Sequence, residues 1–84
     1  SAMNKTLVEE IAERICTIKN NVDAMTQARK AAHQLSGEYE KAKAYHDTVF
    51  PYFDKIRYDV DKLELIVDNQ MWTLPKYREL LFIR

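Results

Sequence analysis

The side chains able to do chemistry are few, and their spacing works against them. His33 and His46 are the only imidazoles. Neither has a second His, Cys, Asp or Glu three or four residues away, the spacing at which a helix presents two metal ligands on one face. Asp47 adjoins His46, but neighbouring residues on a helix project in different directions, so the two are expected to point apart. Cys16 is the only cysteine and cannot form an internal disulfide. No histidine stands close in sequence to lower its pKa, so it reads as a small packing residue. Asp54, Asp59, Asp61, Glu64 and Asp68 could suggest cation binding. They are interleaved with Lys55, Arg57 and Lys62, however, and Asp59 with Lys62 has the spacing of an i,i+3 pair, so the group reads as a solvated helix face. A single glycine cannot build a phosphate-cradling loop. Tyr39, Tyr45, Tyr52, Tyr58 and Tyr77 lack the basic surround of a base-stacking platform and read as core or interface residues. The sequence thus offers no catalytic, cofactor-binding or metal-binding site of its own.

Composition narrows the class further. Thirteen Lys and Arg balance thirteen Asp and Glu, for a net charge of zero. That argues against a nucleic-acid partner, whose footprint is a basic patch, and against a polybasic membrane anchor. Eighty-four residues make one small domain. No apolar run approaches the ~18 residues of a membrane span, and one lone cysteine asks for no oxidising compartment, so a cytoplasmic setting is expected. Ser1, Ala2 and Met3 read as the remnant of a cleaved expression tag, leaving residues 4–84 as a single helical domain.

The elements follow from apolar periodicity. Between residues 39 and 67, Tyr39, Ala42, Tyr45, Val49, Phe53, Ile56, Val60, Leu63 and Val67 recur in steps of three and four. That is one stripe on an α-helix, and its phase runs unbroken through Pro51. One helix over 38–68 is expected, kinked where Pro51 removes a backbone donor and presses on the preceding turn. Upstream, Val8, Ile11, Ile15, Ile18, Val22 and Met25 alternate in steps of three and four, a heptad seam on a helix over 4–35. Asn4, or Thr6 with Glu9, can cap it. The seam continues in Ala28, Ala31 or Ala32, and Leu35, so the pair should narrow toward its turn. Glu10 and Arg14 stand at i,i+4 on the outer face. Ser36 and Gly37 form the turn, with Gly37 as a left-handed cap, and so short a connection makes the helices antiparallel. After Asp68 and Asn69 the pattern breaks, and Pro75 can open a short helix over 75–82 that folds back to lay Trp72 and Leu74 on the hairpin. The fold class is all-α: a long two-helix hairpin with a proline bend and a short returning helix.

Length decides the shape. Twenty-nine helical residues span about 44 Å, against about 30 Å for a compact globe of this size, so the hairpin is a rod. A rod of two helices buries one seam on each. Phe50, Tyr52, Tyr58, Leu65 and Ile66 lie off that seam and need cover, for which a second copy in a four-helix arrangement is the expected source.

The last third carries a family resemblance. Asp61-Lys62-Leu63-Glu64, Val67-Asp68, Trp72-Thr73-Leu74-Pro75-Lys76-Tyr77 and Leu80-Leu81-Phe82, with Thr48-Val49-Phe50-Pro51 upstream, resemble the extreme C-terminus of type III glutamine synthetases. Thr73 stands where that family often has proline, and Arg78 where glycine is common. The resemblance implies a parent ligase that makes glutamine from glutamate and ammonia. It implies ATP and magnesium as the parent's cofactors, a homo-oligomer of stacked rings, and a cytoplasmic location. The family's catalytic, nucleotide and metal residues lie upstream and none maps here, so the segment is expected to pack on its own enzyme or on a neighbouring subunit. Phe50, Phe53, Trp72, Leu74, Tyr77, Leu80, Leu81 and Phe82 are the expected packing residues. The partners implied are further copies of the chain and the parent's catalytic domain, with no nucleic acid and no membrane. The alternative is a free-standing helical dimerisation or adaptor module.

Overall fold

Two long helical arms run antiparallel, and every described segment outside their turn is helical. The computed structural model describes the backbone of residues 2–82 and the side chains of residues 7–70. Helix α1 covers Ala2–His33, α2 covers Glu38–Ala44, a single π-helical turn covers Tyr45–Val49, and α3 covers Phe50–Phe82. Arm α1 starts ahead of Asn4, so the helical backbone runs through both Asn4 and Thr6. At its other end the last turn tightens: the Gln34 amide is shared between the Lys30 and Ala31 carbonyls, and the Leu35 amide bonds the Ala32 carbonyl. Gly37 departs from expectation. Its φ of −92° and ψ of 143° are extended, and it serves as the N-cap of α2 instead of a left-handed C-cap. The Glu40 side chain folds back over the space a Cβ at Gly37 would occupy.

The proline is accommodated by widening one turn. Pro51 has no N–H, and its ring would press on the carbonyl of residue 47 in a regular α-helix. Just upstream the Phe50 amide bonds the Tyr45 carbonyl, five residues back, which is the π-helical pattern. Thr48 donates its hydroxyl to the Ala44 carbonyl at 2.6 Å within the same turn. Helical dihedrals continue through Phe50, so Pro51 interrupts the hydrogen-bond ladder without ending the arm.

The C-terminal stretch differs from the expected returning helix. Arm α3 passes Asp68, Asn69 and Pro75 without a break and ends at Phe82. An arm running from residue 38 to residue 82 is about 68 Å long, while the 32 residues of α1 span about 48 Å. The longest dimension of the molecule is 70 Å, so α3 outruns α1 by roughly 20 Å. The backbone carrying Trp72, Leu74, Tyr77, Leu80, Leu81 and Phe82 therefore continues along the rod axis. The side chains of these expected packing residues lie outside the described ones. The shape is the predicted rod, 70 × 22 × 15 Å, with a radius of gyration of 19.7 Å against about 12 Å for a compact chain of this length.

The seam between the arms is a strict heptad, rotated from the one that hydropathy alone picks out. On α1 the inward positions are Leu7, Ile11, Arg14, Ile18, Asn21, Met25, Ala28 and Ala32. On the second arm they are Tyr45, Val49, Tyr52, Ile56, Asp59, Leu63 and Ile66. Ile11, Ile18, Met25, Tyr45, Val49, Ile56 and Leu63 are where the sequence placed them. Val8, Ile15 and Val22 are instead exposed, and Arg14 and Asn21 stand in the seam. The hairpin is tightest at the turn end, where Ala32 and Val49 are the deepest apolar side chains. There the small alanine lets the π-turn approach α1 closely.

Arg14 explains the rotation. Its Nη1 lies 2.7 Å from Oδ1 of Asp59, a charge-assisted bond across the hairpin. Asp59 is only 7% exposed, so it belongs to no solvated acidic face, and Arg14 is not the outward partner of Glu10. The bond to Asp59, more than any other influence, raises the Arg14 pKa and keeps the guanidinium charged. Lys62, the expected partner of Asp59, sits over the Tyr58 ring at 5.4 Å. Truncating Asp59 would strand a half-buried guanidinium, whereas replacing both partners with apolar residues would not. Asp59→Ala is expected to lower the melting temperature by roughly 10 °C or more, and Arg14→Met with Asp59→Leu to regain most of it, followed by circular dichroism. A shift below about 2 °C for Asp59→Ala would show that the pair does not hold the seam.

Candidate functional site

With the seam at these positions, the two flanks of the rod have opposite characters. Along one flank of α1 stand Val8, Ile15 and Val22, each seven residues from the next, 64%, 50% and 38% exposed. Along α3, Phe53, Val60 and Val67 repeat the same seven-residue step. Phe53 and Val67 are exposed, and Val60 is half-buried. A shallow groove lined by Val22, Met25, Phe53, Ile56 and Val60 puts both rows on the same side of the molecule. In an antiparallel pair the residues just outside the seam on one side of each helix face each other. Here both rows are apolar, with Asp54, Arg57 and Asp61 along the α3 edge of the groove.

The other flank is polar. Glu10, Glu13, Arg14 and Thr17 line a separate shallow groove on α1. On α3, Lys55 lies over the Tyr52 ring at 5.0 Å, and Tyr58 is approached by Arg14 at 5.7 Å as well as by Lys62. The charged heads of these side chains stand over the ring faces, where the aromatic quadrupole attracts a cation. Tyr58 and, seven residues on, Leu65 nonetheless stay 57% and 58% exposed.

Phe50 and Phe53 are the two expected packing residues whose side chains are described, and the structure brings them together. Their rings lie 5.8 Å apart, and each is about half exposed, at 49% and 53%. Both sit at the start of α3, where the π-turn ends. Tyr52, read as lying off the seam, is in it, as is Ile66, while Tyr58 and Leu65 are exposed. Val8, Ile15 and Val22 on α1, and Phe53, Val60 and Val67 on α3, were placed on the buried stripes and instead form this flank, Val60 half-buried and the others exposed. Their seven-residue repeat was visible in the sequence, but nothing local said that the neighbouring repeat containing Arg14 would face inward.

No side-chain cluster here reads as catalytic. Among the described residues, no group of three or more His, Cys, Asp or Glu side chains comes together to hold a metal ion. Cys16 is exposed. His46 does meet its neighbour, contrary to expectation: its Nδ1 lies 3.0 Å from Asp47 Oδ1. Lys43 reaches the other carboxylate oxygen at 2.9 Å, and Phe50 packs edge-on to the imidazole at 6.3 Å. The arrangement is an exposed ion pair straddling the π-turn. Among the described residues, no helix is long and apolar enough to cross a membrane.

Comparison with known proteins places these features in a family. The sequence is 49% identical over all 84 residues to a glutamine synthetase of Bacteroides fragilis, of which it covers 12%. It is 27% identical over 77 residues to the type-3 glutamine synthetase of Dictyostelium discoideum, covering 10% of that protein. The chain thus spans about an eighth or less of the curated relatives it matches. No family model matches the sequence, and no solved structure matches it. The resemblance carried by the residues after Asp61 is therefore borne out, and it extends through α1, where the sequence had offered only a pattern.

The ion pair at the π-turn has a pH signature. The hydrogen bond from Lys43, then that from His46, holds the Asp47 carboxyl below its ordinary value. A depressed carboxylate contributes stability above its unfolded pKa and loses it as pH falls through the folded one. Both partners are well exposed, so solvent screens the effect. Asp47→Asn is expected to reduce the fall in melting temperature between about pH 5 and pH 2 by only about 1–2 °C. An acid limb as steep as the wild type's would remove Asp47 from the account.

Proposed function

Because this chain belongs to the glutamine synthetase family, we propose that it is a non-catalytic helical domain at the C-terminal end of such an enzyme, serving to pack subunits or domains together. The observation that carries the reading is the uncovered apolar flank formed by Val8, Ile15, Val22, Phe53 and Val67. Soluble monomers rarely leave so continuous an apolar strip open, and strips of this kind mark protein contacts. The parent would make glutamine from glutamate, ammonia and ATP with magnesium, in the cytoplasm, as a homo-oligomer. Magnesium and nucleotide would be held by its catalytic domain. The segment's own task is mechanical, and its partners would be other copies of the enzyme or the catalytic domain of its own chain.

The test uses the full-length enzyme that carries this segment. Ile15→Asp and Phe53→Asp are expected to shift it to smaller particles in sedimentation, with at least about a tenfold weaker assembly. The 84-residue chain alone is expected to form no glutamine from ATP, glutamate and ammonia. Unchanged particles in both variants would overturn the packing role, and turnover by the isolated chain would overturn its non-catalytic character.

A further inference from the structure

The apolar flank also says what kind of surface covers it. We infer that it is covered by the same flank of a second copy, turned end for end, so that α1 meets α1 and α3 meets α3 in an antiparallel four-helix bundle. This rests on the packing reading above and goes beyond it by naming the occupant.

Three observations support a second copy in this orientation. The first is symmetry. On α1 the row Val8, Ile15 and Val22 centres on Ile15; on α3 the described members, Phe53, Val60 and Val67, centre on Val60, and the same seven-residue step continues in Leu74 and Leu81. A twofold axis across the rod at that level sets Ile15 on Ile15 and Val60 on Val60. It also sets Val8 on Val22 and Phe53 on Val67, each way round. Every described apolar side chain of one flank then meets an apolar side chain of the other, as a self-complementary interface requires. The narrow seven-residue rows suit the knobs-into-holes contacts of a bundle.

The second observation is charge at the rim. Arg57 and Glu64 stand one heptad apart on α3, just outside Phe53, Val60 and Val67, and Arg57 borders the apolar groove. Neither makes an ion pair within the hairpin among the described residues. Their midpoint falls at the Val60 level. The same axis therefore brings Arg57 of one copy to Glu64 of the other, twice. On α1 it brings Lys19 to Ala12, where there is room for the lysine stem. In the other twofold arrangement, with the copies running the same way and α1 over α3, Arg57 and Glu64 do not meet, and Lys19, already paired with Asp23 at 3.5 Å, gives Glu64 no replacement partner. Charge thus selects the end-for-end arrangement. The third observation is the net charge of zero, which leaves no overall repulsion between copies.

The experiment is sedimentation equilibrium of the 84-residue chain from about 1 to 200 μM, with circular dichroism on every variant to check helicity. The wild type is expected to reach twice the 9.9 kDa chain mass. Ile15→Asp, at an exposed position, should abolish the dimer without loss of helix. Arg57→Glu should weaken dimerisation by about tenfold or more through two repulsive contacts, and Arg57→Glu with Glu64→Arg should restore it to within about threefold. A wild type that stays monomeric at the highest concentration overturns the proposal, as does a charge swap no better than Arg57→Glu alone. A monomeric chain whose Ile15→Asp change still breaks up the full enzyme would leave the packing role standing and refute only the second copy. A dimer that forms as described while the full enzyme's assembly ignores Ile15→Asp would do the reverse.

Discussion

A guanidinium and a carboxylate 45 residues apart meet at 2.7 Å inside an otherwise largely apolar seam, and the cross-section of the rod follows from that contact. Each helix has apolar residues on two adjacent rows, so burial alone leaves its rotation about its own axis poorly determined. Placing Arg14 and Asp59 inward settles it. The row at Leu7, Ile11, Ile18 and Met25 then closes on Val49, Ile56 and Leu63. Val8, Ile15 and Val22 turn to one side together with Phe53, Val60 and Val67. An ion pair of this kind adds little to stability compared with apolar side chains of the same shape, but it discriminates strongly between registers, because breaking it leaves a charge buried without a partner.

The two ends of the rod are held differently. At the turn, Ala28 and Ala32 let the arms approach, and the π-turn seats Val49 against them while absorbing Pro51. A proline in a helix costs a hydrogen bond and a clash, and widening one turn relieves the clash without ending the helix. At the far end α3 simply continues. Its backbone stays helical through Pro75, so the tail that carries the family's most distinctive residues leaves the hairpin along its axis. A surface intended for another protein is well served by such a rod, since a long thin body exposes most of what it carries. The same geometry makes it poor at enclosing a substrate, because two helices cannot surround a cleft.

The functional reading joins these features to ancestry. One glutamine synthetase matches the chain from end to end and another over 77 residues, yet the match occupies a small share of their length. What remains distinctive in the segment is surface: one polar flank finished with cations over tyrosine rings, and one apolar flank left open. The proposed self-association and assembly would draw on that asymmetry, and neither requires a reactive group.

From its sequence alone this protein was legible as two antiparallel helices of great length, joined near Gly37, with family features after Asp61 and no catalytic grouping. These are local properties. Step lengths of three and four, the positions of proline and glycine, and the types of neighbouring residues are all carried by short stretches of chain. Which of two neighbouring apolar rows faces inward was decided only by the tertiary structure, and so were the burial of Asp59, the extended cap at Gly37 and the unbroken run of α3 through Pro75. The reason is that each depends on energies between groups far apart in sequence, or on the cost of interrupting a helix already supported on either side. Arg14 cannot be assigned to Glu10 or to Asp59 from spacing. The choice is made where a second helix, 45 residues later, brings a carboxylate into reach.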